Sequence, residues 1–190
     1  ELRRQDQNVG SKVIMAMTLL STVNQTSGTS SINITSDIDS TYKLYIIKII
    51  DLHPASDGQT PQFKGSTDGA SSFVNMTSTH FYAQHTEADS TTLTYYAAGD
   101  QADSTPSSIN FTLGNANDEN LNGEIFLFNP AGTTYVKHWY SRTTAIGEGD
   151  WITDNFAAGY WNTTSAINAV GFSMTSGNID AAVIKLYGVG

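Results

Sequence analysis

Histidines and carboxylates are the residues of this sequence whose types best suit acid–base chemistry or metal binding. A zinc site needs ligands that converge, whereas His80 and His85 are five positions apart and fall on opposite faces of a straight strand. The other two histidines are His53 and His138. The acidic residues lie in segments rich in Gly, Asn or Ser, where solvated turn carboxylates are typical: Asp100, Asp103, Asp118, Glu119, Glu148 and Asp150. We therefore assign no catalytic residue, no metal ligand and no cofactor.

Two alternatives remain open for these carboxylates. A pair of them on facing loops would suit glycoside hydrolysis, and loop oxygens from aspartate and asparagine would suit calcium. Thiol chemistry is excluded because the chain has no cysteine. The sequence also has no nucleophile elbow, phosphate loop or dinucleotide fingerprint.

Aromatic residues are concentrated towards the end of the chain. Aromatic side chains stack on sugar rings, but in strands they more often form the sheet core or a subunit interface. We favour core or interface here and keep contact with a cell-surface glycan as the alternative. The candidates for glycan contact are Trp139, Tyr140, Trp151, Tyr160 and Trp161.

Composition excludes some partners. Lys and Arg total 9 against 18 Asp and Glu, so the net charge is −9 and the isoelectric point about 4.6, which disfavours binding to nucleic acid. Only 14% of residues are charged, whereas the 190 residues include 20 Ser, 24 Thr and 14 Asn, which suit exposed β surfaces and turns. The apolar stretch at residues 13–20 is too short to cross a bilayer, so we expect no membrane insertion.

Alternation of apolar and polar residues is the recurring pattern along the chain. Residues 42–50 are so apolar that we expect a central strand with both faces covered, ending near Asp51. The turn at residues 129–132 separates two further segments and predicts a hairpin. We expect ten to twelve strands in an all-β, antiparallel two-sheet sandwich that is jelly-roll-like. Other predicted strands lie at 79–85, 91–96, 108–113, 151–161, 169–174 and 182–187.

The N-terminal part differs in charge from the rest. We assign residues 1–30 to an extended arm, with a short strand at 13–22 followed by a polar link, and residues 31–190 to the sandwich. Because the arm combines basic and apolar residues, we expect it to reach a neighbouring subunit and add a strand there. The expected docking residues are Arg3, Arg4, Val13, Ile14, Leu19 and Leu20.

One pattern goes beyond composition. Residues 49–58 (IIDLHPASDG) are followed by a Thr-Asp-Gly turn with Phe73, and residues 174–180 (MTSGNID) lead into a closing Leu-Tyr-Gly strand. Over roughly residues 36–190 this resembles a family of structural proteins from tailed bacteriophages of marine bacteria and cyanobacteria, with Ser56 where the family often has Thr. The resemblance implies a β fold and a location in the virion, and it carries over no catalytic residue.

These observations together predict a non-enzymatic virion protein, either an outer capsid decoration or a subunit of a tail or fibre appendage. We expect it to form a homo-oligomer, by analogy a trimer, and to dock on other virion proteins. An acidic chain without thiols suits a particle that must endure outside the cell. The alternatives are a host-recognition module that binds a cell-surface glycan and a polysaccharide-degrading enzyme.

Overall fold

The fold of this chain is known from a computed structural model that describes residues 16–190. This part of the chain forms twelve β-strands and contains no helix. The strands are β1 (Met17–Gln25), β2 (Ile32–Ile34), β3 (Leu44–Pro54), β4 (Pro61–Ser66), β5 (Met76–Thr86), β6 (Thr91–Tyr95), β7 (Ser107–Ser108), β8 (Leu121–Phe128), β9 (His138–Gly147), β10 (Trp151–Trp161), β11 (Ala169–Met174) and β12 (Ile179–Val189). Within residues 16–190 no helix is long and apolar enough to span a membrane.

The strands form two sheets, and all neighbouring strands are antiparallel. The large sheet has eight strands in the order β1-β12-β3-β8-β9-β10-β5-β6, and the small sheet has four in the order β2-β11-β4-β7. Most connections cross from one sheet to the other, as in Greek-key sandwiches. The prediction of an all-β, antiparallel two-sheet sandwich is therefore confirmed.

The strand order bears on the finer prediction of a jelly roll. When the hairpin β8–β9 and the strands β12 and β1 are set aside, eight strands remain. If these eight strands are renumbered from 1 to 8 along the chain, the small sheet has the order 1-8-3-6 and the rest of the large sheet has the order 2-7-4-5. Two interleaved Greek keys produce this order. The jelly roll stays an interpretation of this order.

Aromatic side chains join the two sheets at the centre of the core. The ring of Phe63 on β4 lies 5.3 Å from Trp139 on β9, 5.9 Å from Trp161 on β10 and 5.4 Å from Phe172 on β11, measured between centroids. All four side chains are buried. Gly65 on β4 is required beside them, because a Cβ at this position would clash with the indole of Trp161.

Strand β3 is central, as predicted, but it is longer than expected. It pairs with β12 on one side and β8 on the other, and it continues past Asp51 to Pro54. The strand passes Asp51 through a β-bulge, where this residue has a positive φ of 50° and the register with β8 shifts. Asn122 accepts a hydrogen bond from the Asp51 amide, and Asn120 donates one to its carboxylate.

The hairpin after residue 128 and the strand at residues 108–113 are two further local predictions that the structure tests. The hairpin is confirmed, since β8 and β9 are antiparallel neighbours on either side of the turn at 129–132. The strand expected at 108–113 is wrong, because only Ser107–Ser108 pairs as a strand there. The chain that follows makes only isolated backbone hydrogen bonds, from Ile109 to Pro61 and between Leu113 and Gln59, and side-chain hydrogen bonds hold it over the large sheet.

The N-terminal strand also differs from its prediction. Strand β1 pairs with β12 of the same chain from Met17 to Gln25, so this segment completes its own sheet and does not reach a neighbouring subunit. The polar link after it is tied to the sandwich as well, through a bridge between Thr29 and Ile179. The predicted docking residues Arg3, Arg4, Val13 and Ile14 lie outside the described residues.

The aromatic centre predicts a large effect of truncation at Phe63. The Phe63→Ala variant should lose about 3–5 kcal/mol of unfolding free energy, because it removes a fully buried ring and leaves a cavity between the sheets. Urea denaturation at fixed protein concentration measures this loss. In the control Tyr135→Ala, which truncates a side chain 78% exposed in a loop, the loss should stay within about 0.5 kcal/mol. Equal losses in both variants would contradict this assignment of the core.

Candidate functional site

The side of the large sheet that faces away from the small sheet is the most distinctive surface of the molecule. We call it the outer face; it consists of the outward-pointing side chains of the eight strands. Nine large hydrophobic side chains are exposed among residues 16–190, and eight of them lie on the outer face. These eight are Met17, Leu19, Phe81, Leu93, Tyr95, Phe128, Tyr140 and Ile152.

Strand alternation explains why these residues share one face. In β9, Trp139 is buried and Tyr140 is 42% exposed; in β10, Trp161 is buried and Tyr160 is half-buried. Successive side chains of a strand point to opposite faces, so each buried aromatic residue places the one beside it on the outer face. The large sheet is therefore rich in apolar side chains on both of its faces.

Aromatic residues on the outer face stack in pairs across neighbouring strands. The rings of Phe81 and Phe156 lie 5.0 Å apart with an interplanar angle of 7°, and those of Phe126 and Tyr140 lie 4.7 Å apart at 18°. Cross-strand aromatic pairs stabilise a sheet, but here they leave ring surface exposed to solvent. This arrangement gives the outer face flat apolar areas.

A charged band crosses the middle of the outer face. Lys48 on β3 pairs with Glu124 on β8. Arg142 on β9 binds the carboxylate of Asp154 on β10 through two hydrogen bonds of 3.0 and 2.7 Å. The pKa of Arg142 lies above its ordinary value, chiefly because Asp154 accepts its hydrogen bonds. The guanidinium also lies 5.2 Å from the ring centroid of Phe156, within range of a cation–π contact.

The five aromatic residues proposed for glycan contact do not form one platform. Trp139 and Trp161 are 1% and 0% exposed, so they cannot offer a stacking face to a sugar, and that part of the prediction is wrong. Tyr140 and Tyr160 lie on the outer face, where the ring of Tyr160 is 6.0 Å from His138. Trp151 is half-buried against the glycines of the β9–β10 turn.

The two predicted docking residues that the structure describes have different environments. Leu19 is 50% exposed and lies opposite Tyr187 of β12, on the outer face. Leu20, its neighbour, is partly buried and packs against the core. Leu19 therefore remains available for contact with another molecule, whereas Leu20 stabilises the fold of its own chain.

A buried polar cluster lies between the sheets and was not predicted from the sequence. His80 Nε2 lies 3.0 Å from Asn155 Oδ1, which also accepts a hydrogen bond from the Phe111 amide. Asn110 donates to Thr143 Oγ1 at 2.9 Å. His80, Asn110 and Asn155 are fully buried, so no substrate reaches them, and their hydrogen bonds fix the chain after β7 against the large sheet.

The hydrogen bonds of Asn155 determine the tautomer of His80. Because Asn155 Oδ1 is an acceptor that also receives the Phe111 amide, the Nε2 atom of His80 carries a proton. Burial lowers the pKa of His80, and this effect exceeds the opposite influences of Asn155 and of the carboxylate of Asp100. The cluster is therefore built for an uncharged imidazole.

Lys137 is a second buried titratable group. Its side chain is among the largest fully buried ones, and Nζ donates a hydrogen bond of 2.8 Å to the carbonyl oxygen of Thr163. Burial lowers the pKa of Lys137. The lysine thus links the loop before β9 to the loop after β10, and its side chain is buried away from solvent.

The remaining candidates for chemistry lie apart from one another. His85 is exposed and pairs with Asp89, and His53 contacts the carbonyl oxygen of Ala116 at 3.2 Å. Glu119 is buried, and it accepts a hydrogen bond from the Ala116 amide instead of facing a cleft. Within residues 16–190, no three histidine or acidic side chains are grouped so that they could hold a metal ion.

No protein-family model matches the chain, and no curated protein matches it either.

The buried imidazole predicts a loss of stability in mild acid. The unfolded chain binds a proton at His80 near pH 6.5, whereas the folded chain resists protonation, so the free energy of unfolding should fall as the pH drops below 6.5. The loss is at most about 1.4 kcal/mol per pH unit for one proton. Urea denaturation between pH 7.5 and about pH 5 measures it.

Two variants assign this acid sensitivity to its source. His80→Gln keeps a side-chain donor for Asn155 and removes the titrating ring, so its stability should change less with pH than that of the unmodified protein. His85→Gln, at an exposed position, should behave like the unmodified protein. An unchanged pH dependence in His80→Gln would show that acid acts elsewhere.

Proposed function

We propose that this protein is a non-enzymatic structural subunit of a phage particle that acts by packing its outer face against other copies of itself. The observation that carries this proposal is the concentration of exposed large hydrophobic residues on that single face. Isolated exposed hydrophobic residues are common on soluble proteins, but a contiguous apolar patch marks an interaction surface. Assembly removes this patch from water.

The kind of surface argues for assembly with protein. The outer face is broad, and its aromatic and arginine residues are types enriched at protein interfaces. The two ion pairs in its middle satisfy their own charges within the chain. These four charges can be covered without being left unpaired.

Composition supports the placement on a particle. The chain is acidic and has no cysteine, so it resists thiol oxidation and avoids nucleic acid. The sequence resemblance to phage structural proteins points to the same location, as an outer capsid decoration or a tail or fibre subunit that also docks on other virion proteins. The trimeric state remains an expectation by analogy.

Recognition of a host-surface glycan is the second candidate function. The observation that favours it is the pair Tyr140 and Tyr160 on adjacent strands, next to His138. Both tyrosines belong to the outer face, so glycan binding and self-association would compete for the same surface. A glycan array probed with the purified protein tests this candidate.

Self-association is the measurable consequence of the proposal. Light scattering should give a mass that is a multiple of the 20.5 kDa chain, and dilution should dissociate it. The double variant Leu93→Ser, Tyr140→Ser should associate at least about tenfold more weakly, because both exposed side chains lie on the outer face. Loss of the stack between Tyr140 and Phe126 should lower its free energy of unfolding by about 0.5–1.5 kcal/mol, so the variant stays folded.

The matched control is Phe73→Ser. Phe73 is a half-buried aromatic residue beside Lys64, on the side of the small sheet that points away from the large one. This variant should associate like the unmodified protein. A protein that stays monomeric at high concentration would contradict the proposed function.

A further inference from the structure

We infer that two copies of this chain pack outer face to outer face about a two-fold axis that runs parallel to the strands, between β8 and β9. This inference rests on the proposed function, namely self-association, and it specifies the partner and the geometry. Strands β8 and β9 are the fourth and fifth of the eight strands, so the axis passes through the middle of the large sheet. Each strand then lies over the strand of the second copy that holds the same position counted from the opposite edge of the sheet.

The charged band supplies the first argument. Lys48 on β3, Glu124 on β8 and Arg142 on β9 lie in one cross-strand row with Lys185 on β12, and Asp154 on β10 lies one residue pair further along. The proposed axis places β3 over β10 of the second copy and β8 over β9. A two-fold axis parallel to the strands keeps each residue at its own height, so Glu124 faces Arg142 of the second copy, and Lys48 faces Phe156, which lies opposite Arg142 in its own sheet. Opposite charges therefore meet at the centre of the contact, and Lys48 is placed for a cation–π contact.

The same charges reject the other face-to-face arrangement. A two-fold axis perpendicular to the strands places every strand over its own copy. Lys48 would then meet Lys48 and Arg142 would meet Arg142, or the charged band would lie over an apolar row. Like charges in contact and unpaired buried charges both oppose association. The charge pattern therefore selects the axis that is parallel to the strands.

Aromatic residues of the outer face supply the second argument. Strand β8 lies over β9 of the second copy, so Phe126, which is opposite Tyr140 in its own sheet, faces Tyr140 of the second copy. Strand β12 lies over β5 in the same way. Because Lys185 and Phe81 belong to one cross-strand row, Lys185 faces Phe81 of the second copy, a pair suited to a cation–π contact.

The size of the face is sufficient for a stable dimer. Eight strands about 4.8 Å apart make a sheet about 38 Å wide. With about 25 Å of strand length in contact, each copy offers roughly 900 Å², compared with about 800 Å² per partner in a standard specific interface. Two sheets that pack face to face with aligned strands also form the usual sandwich contact.

This geometry gives a dimer, which differs from the trimer expected by analogy. A two-fold axis requires a self-complementary surface, and the charged band has this property. In a three-fold ring, each contact joins two different surfaces of neighbouring copies, so the charged band does not pack against its own copy. The mass of the assembly therefore distinguishes the two.

Paired charge reversals test the inference. One full-length variant carries Glu124→Lys and Asp154→Lys, which makes the band positive throughout; the other carries Lys48→Glu and Arg142→Glu, which makes it negative. Each variant alone should dimerise about 100-fold more weakly than the unmodified protein at about 0.15 M salt, because like charges meet across the axis. An equal mixture of the two should restore a dimer by light scattering.

The outcomes separate this inference from the proposed function. An unmodified protein that is monomeric at high concentration overturns both. A trimer, or a dimer that survives each charge reversal unchanged, overturns the two-fold packing and leaves self-association standing. Failure of the mixture to restore the dimer likewise overturns the two-fold packing.

A distance measurement covers the case in which a charge variant fails to fold. The chain has no cysteine, so Thr92→Cys provides a single site for a spin label on edge strand β6, exposed and pointing away from the outer face. The proposed packing separates the two labels by seven strand spacings and the gap between sheets, about 40 Å in all. Labels closer than about 20 Å, or farther apart than about 60 Å, would indicate pairing at a sheet edge and contradict the inference.

Discussion

The eight-stranded sheet has apolar side chains on both faces, and the single chain covers only one of these faces. The rest of this structure depends on that constraint. The small sheet packs against one face through Phe63 and the two buried tryptophans. The opposite face carries eight of the nine exposed large hydrophobic residues among residues 16–190. An exposed apolar face of this size lowers the solubility of the single chain, and the proposed self-association would remove the face from water.

Much of the fold followed from alternation along the chain, but the functional surface did not. Alternation gave the strands, the hairpin at residues 129–132 and the all-β class. Alternation also places Trp139 and Tyr140 on opposite faces of the sheet, and likewise Trp161 and Tyr160. Applied residue by residue, this rule excludes the two tryptophans from the glycan site. The outer face needs the order of strands in the sheet, which depends on long-range pairing and has no local signal.

The errors of the sequence interpretation also have physical causes. Residues 108–113 have strand-like alternation, yet beyond Ser108 they make only isolated backbone hydrogen bonds. Side-chain hydrogen bonds with Asn155 and Thr143, which no local pattern encodes, also hold them. The inward positions of β9 and β10 do contain the signal for this cluster, because threonine and asparagine stand there among buried apolar residues. A polar cluster inside a sandwich fixes one arrangement of the covering chain, and it needs a neutral His80 to do so.

The central claim is that the outer face is covered when the protein assembles, and hydroxyl-radical footprinting measured against protein concentration tests it most directly. If the outer face is covered, oxidation of Leu93, Tyr95, Phe128 and Tyr140 should decline together as the assembly forms, while oxidation of Phe73 stays constant. Equal oxidation of the outer-face residues in the dissociated and assembled protein would contradict the claim.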